Sequence, residues 1–171
     1  MTPVPRGPEP PDRFEYTEEE WDEAAGHRPL RDVEFSQLLL LHRHWIWSDR
    51  ERDSFYSQLK DGQVARPDRL AADVVRTMFL WYALTWSLIE GFNDRDIELR
   101  GRFAEDIEAV SEGLRQFRNA VFHISRDSYF DARLFRFMDE ELPCRMGRIS
   151  SGFGRLLTEE LQAREARPEG E

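Results

Sequence analysis

From residue 103 to residue 124 the apolar side chains Phe103, Ile107, Val110, Leu114, Phe117, Val121 and Ile124 recur at alternating steps of four and three. At about 100° per residue those steps hold all seven on one side of an α-helix, whereas a strand would scatter them over both faces of a sheet. A helix with an unbroken apolar face must cover it, so the rest of the chain has to supply further helices. Residues 69–90 carry two apolar stripes. One runs through Leu70, Val74, Met78, Trp81 and Leu88, the other through Val75, Phe79, Tyr82, Trp86 and Ile89. Two stripes mean burial on most sides, which predicts a central helix.

The remaining segments fit the same pattern. Thr17 followed by Glu18, Glu19 and Glu20 reads as a capping box opening a short helix, which Gly26 and Pro29 end. Residues 30–59 are helical in spacing (Leu38, Leu41, Trp45), with the charged run SDRERDS leaving one helix or two. Asp68 caps the central helix, and Gly91, Asn93 and Asp94 mark its end. Further helices are expected over 129–141, stopping before Pro143, and over 146–164 through Met146, Ile149, Phe153 and Leu157. With no strand alternation, internal repeat or long Gly/Ser linker, the expectation is an all-α, single-domain helical bundle of five or six helices. Residues 1–16 are Pro-rich and read as disordered, 17–164 as the domain, and 165–171 as a flexible tail.

Composition narrows the function classes. The 171 residues carry a net charge of −10, which disfavours a general DNA or membrane coat, and no convincing helix-turn-helix points to DNA. Thirteen uncharged residues between Arg76 and Glu90 are too few to span a bilayer. The N-terminus has no apolar signal core, and the single Cys144 excludes an internal disulfide, so a cytoplasmic protein is expected. No cofactor or metal site is expected either. His42 and His44 are two residues apart, on different sides of a helix, and there is no thiolate cluster.

The residues able to carry chemistry lie at the end of the periodic helix, in the run LRQFRNAVFHIS. Arg118 can hold a phosphate, His123 can move a proton near neutral pH, and Asn119 can orient either. An Arg followed directly by Asn and five residues ahead of a His is expected by chance in roughly one such chain in a hundred. On a helical wheel Arg115, Asn119 and His123 lie opposite the apolar stripe, and Arg118 borders the core. Phe122 lies amid this polar set, which suggests that another helix or subunit covers the face. Residues 113–136 hold five Arg (115, 118, 126, 133 and 136) against Asp127 and Asp131, a local net charge of +3. That contrast suits an RNA backbone or, equally, salt bridges to the acidic remainder. By themselves these residues leave His123 open between a structural and a catalytic role.

The segment Arg118-Asn119-Ala120-Val121-Phe122-His123 resembles the Arg-polar-x3-His signature of the HEPN superfamily, small helical-bundle domains of prokaryotic toxins, phage-defence proteins and CRISPR ribonucleases. The stretch WYALTWSLIEGF also resembles uncharacterised bacterial members. The resemblance implies an HEPN-like bundle acting as a metal-independent endoribonuclease. Arg118 would contact the scissile phosphate, His123 would act as general acid or base, and Asn119 would orient the pair. It further implies a homodimer that joins two motifs, with Phe122 at the interface and RNA as substrate, and a regulatory protein as a further partner. Arg115, Arg126 and Arg133 are candidate phosphate-binding residues, and Glu90 is a candidate support for the motif. A toxin branch has Tyr two residues after the His where this chain has Ser125, so the resemblance does not extend to that tyrosine. The alternative is a catalytically inactive regulatory or scaffold subunit of the same fold.

Overall fold

A computed structural model describes residues 15–25, 29–60, 67–122 and 141–166, with backbone alone for 67–72 and 120–122. Among these residues there are five α-helices and no strand: α1 (Glu18–Ala25), α2 (Phe35–Lys60), α3 (Pro67–Asn93), α4 (Gly101–Phe122) and α5 (Leu142–Glu165). The all-α bundle expected from periodicity is the observed fold. Helices α2, α3, α4 and α5 form a ring of neighbours, with α2 and α4 on one diagonal, and α1 packs against α4.

Local sequence accounts for where the helices start and stop. At α1 the Thr17 amide donates to Glu20 Oε2 at 2.9 Å, and the Glu20 amide donates back to Thr17 Oγ1 at 3.3 Å. This is the predicted capping box, and it occupies two amides that no helical carbonyl reaches. Beyond α3 the Ile97 amide donates to Phe92 O and the Asp96 amide to Asn93 O, with Asp96 at φ 52°. These two bonds form a Schellman stop, and buried Ile97 and Phe92 make its apolar contact.

The structure chooses between the alternatives at one boundary and moves others. The run SDRERDS does not break α2; Arg52 pairs with Asp49 at 2.9 Å within the helix, and Ser48 reaches Thr85 of α3 at 2.9 Å. α3 ends at Asn93, as expected; Gly91 lies two residues inside that end, where a Cβ would come within 2.9 Å of Leu41 Cδ2. Asp68 falls in the first turn of α3 rather than at a cap, and α5 begins at Leu142 with Pro143 in its first turn, where a missing amide costs nothing. Tyr16, assigned from sequence to the loose N-terminal segment, is buried. The helix expected over 129–141 lies almost wholly outside the described residues.

The periodic stripes supply the core. Phe103, Ile107, Val110, Leu114 and Phe117 of α4 are buried, as are Met78, Trp81, Tyr82, Trp86, Leu88 and Ile89 of α3. From α5, Met146, Ile149, Phe153 and Leu157 are fully enclosed. Aromatic rings knit these faces together: Phe79 lies edge-on to Phe117 at 4.5 Å, Phe92 is 4.7 Å from Phe153, and Phe103 is 5.0 Å from Phe153.

Candidate functional site

The motif occupies the C-terminal end of α4. Because Phe117 is buried in the stripe, the next residue, Arg118, leaves the core at its border, and its side chain is 26% exposed. There it meets Glu90, three residues before the end of α3: Arg118 Nη2 donates to Glu90 Oε1 at 2.5 Å. Its Nη1 donates to Asn119 Oδ1 at 3.0 Å. The structure therefore brings together three of the residues singled out from sequence, Arg118, Asn119 and Glu90. Among the described residues two of the five guanidinium N–H donors are engaged, and the group still reaches solvent. Such a group can accept an anion without first breaking its anchoring ion pair.

Arg115 is not drawn into this cluster. Its guanidinium forks onto Glu112 one turn earlier, at 2.8 and 2.7 Å. Hydrogen bonds from Arg115 and Gln116 hold the exposed Glu112 carboxyl down at about 2. A phosphate at Arg115 would therefore compete with a carboxylate that stays ionised. Phe122 is the last residue of α4 and is described by its backbone alone. His123, Arg126 and Arg133 lie outside the described residues.

One charged cluster escaped the sequence reading. Asp106, on the buried side of α4, is 2% exposed. Arg148 of α5 grips it with two bonds of 2.8 Å, and the Tyr16 hydroxyl donates to it at 3.1 Å. Arg102 and Arg145 approach the same carboxylate at 3.6 and 3.9 Å. Burial, and then the Asp106 charge, push the Tyr16 phenol well above its ordinary range, so it remains a donor. The signal was visible, because Asp106 lies three residues after Phe103 and four before Val110, inside the apolar stripe. Twelve residues of helix, about 18 Å, separate it from Arg118. Its task is to join α4, α5 and the segment leading into α1.

Among the described residues no group of three His, Cys, Asp or Glu side chains is placed to hold a metal, and no helix is long and apolar enough to cross a membrane. His44 Nδ1 lies 2.9 Å from Leu40 O, and His42 packs on Trp45, so the two imidazoles do not converge. The chain matches no model of a known protein family, no curated protein and no solved structure.

Proposed function

We propose that this chain is a metal-independent endoribonuclease of the HEPN type, acting in stress response or phage defence. In this reading the RNA 2′-hydroxyl attacks the adjacent phosphorus, and the 5′-oxygen leaves. Arg118 binds the phosphate and offsets the charge that develops there. His123 takes the proton from the 2′-hydroxyl or gives one to the 5′-oxygen, and Asn119 orients the pair. DNA lacks the nucleophile and is not a substrate. Two copies of the motif meet across a homodimer, with Phe122 on the shared face.

The observation that carries the reading is the setting of Arg118. Glu90 and Asn119 hold the guanidinium at its edges while part of it faces solvent. A phosphate-binding Arg gains from such anchoring, since less side-chain freedom is lost on binding. The same ion pair favours one other reading. An Arg already neutralised by Glu90 serves equally well as a structural fastener between α3 and α4, in a catalytically idle scaffold subunit.

Incubating the purified chain with mixed cellular RNA in EDTA separates the two readings. The ribonuclease reading expects cleavage to 2′,3′-cyclic phosphate ends, an activity–pH curve with an imidazole limb, and losses of about 100-fold or more in Arg118→Ala and His123→Ala. Folded wild-type and variant proteins that all leave RNA intact would leave the scaffold reading standing.

A further inference from the structure

Every large apolar side chain that is exposed among the described residues, namely Phe35, Leu39, Leu40, Trp47 and Leu59, belongs to α2. A helix that lines one core normally turns polar residues outward; α2 does so at Arg43, Arg50 and Asp53 but leaves these five apolar side chains open as well. Leu38, Leu41 and Ser48 lie on its core side. On the outer side Leu40, Arg43, Trp47, Glu51 and Ser54 fall within about 80° of one another on a helical wheel. Trp47 is 44% exposed, with the Arg43 guanidinium 5.0 Å above its ring and the His44 ring at 5.4 Å. An exposed tryptophan beside an exposed leucine, Leu40, marks a contact surface.

The charges on this row identify the occupant. Arg43 precedes Trp47 by four residues and Glu51 follows it by four, and neither forms an ion pair among the described residues. In a two-fold contact residue i meets j while j meets i. Two α2 helices laid antiparallel about Trp47 set Arg43 against the partner's Glu51, twice, with the Trp47 rings at the axis. A parallel pairing would set Arg43 against Arg43 and Glu51 against Glu51, so the signs select the antiparallel one. A polyanion such as RNA would meet Glu51 within this row, on a chain of net charge −10.

We propose that the outer face of α2 binds a second copy of this chain, antiparallel, through Trp47 and the reciprocal Arg43–Glu51 pairs. This contact is independent of the ribonuclease reading. Helices α2 and α4 lie on one diagonal of the bundle, so copies joined through α2 keep their motif helices free.

Sedimentation of the full chain over a concentration series tests it, in the wild-type and Phe122→Glu backgrounds. Self-association is expected, weakened about tenfold or more by Arg43→Glu, by Glu51→Arg and by Trp47→Ala. The double variant Arg43→Glu/Glu51→Arg is expected to recover association, which a misfolded protein would not do. A chain that is monomeric at every concentration, single charge reversals without effect, or a double variant as weak as the singles would each overturn the proposal. Association abolished by Phe122→Glu and untouched by the α2 reversals would also overturn it, and would favour pairing through the motif face. RNA captured at Trp47 by a monomeric chain would replace the second copy with nucleic acid.

Discussion

Asp106 and Arg118 show how burial decides what a charged residue does. Asp106 is almost fully enclosed, and three guanidinium groups and a phenol surround it. Removing its charge leaves the partly buried Arg148 without its ion-pair partner, a loss that typically costs several kcal/mol. Asp106→Asn is therefore expected to destabilise the fold by about 3 kcal/mol in urea unfolding. The exposed Arg155–Glu18 pair makes similar contacts at 2.9 and 3.0 Å, yet water screens it, and Glu18→Gln should leave the unfolding midpoint unchanged. Arg118 lies between these extremes, anchored by Glu90 and still 26% exposed. The Arg118–Asn119 neighbourhood was legible because both residues lie in one short motif. Its contact with Glu90 spans 28 positions and depends on how α3 and α4 cross.

At the scale of the element, α5 shows a packing choice overriding helix propensity. Gly154 is a poor residue for the middle of a helix, and alanine there would be favoured by about 1 kcal/mol on propensity alone. A Cβ at this position, however, would collide with the six-membered ring of Trp45 on α2. That ring has little freedom to yield, because its Nε1 donates to Ser150 O at 2.9 Å one turn earlier on α5. Gly154→Ala is accordingly expected to lower stability by about 1–2 kcal/mol despite the better propensity, read as a lower thermal midpoint. The opposite sign would mean that α2 can slide outward at little cost. The continuity of α2 through SDRERDS has a related cause. Ser48 and Asp49 find partners on α3 and α5, Thr85 at 2.9 Å and Ser150 at 3.1 Å, so a run that is polar in sequence still contributes contacts to the bundle.

For the molecule as a whole, ring closure depends on α5 returning to α2. Besides the Trp45 contact, Arg164 near the end of α5 donates to Leu30 O at 2.9 Å and Val33 O at 2.6 Å, in the turn leading into α2. Glu160, itself buried, holds the same guanidinium at 2.8 Å. Arg164→Ala should cost about 2 kcal/mol. It should also speed amide exchange in residues 30–41 ahead of α3 and α4, because the loss opens one seam of the ring. Uniform acceleration throughout the bundle would show instead that the seam opens only on global unfolding.

The alternation of threes and fours in α4 and the double stripe of α3 determined by themselves that this chain is helical and which faces are buried. Residue spacing is a local property, and the hydrophobic effect acts on it without regard to partners. The Thr17 cap was legible for the same reason, since both of its hydrogen bonds close within four residues. Only the tertiary structure decided that Glu90 meets Arg118, that Asp106 gathers Arg148 and Tyr16 over 42 and 90 positions, and that Gly91 and Gly154 are sites of close approach. It also decided that Leu40 and Trp47 of α2 stay exposed outside the core. Each of these depends on which helices adjoin and at what offset, and that is set by the joint packing of all the faces at once.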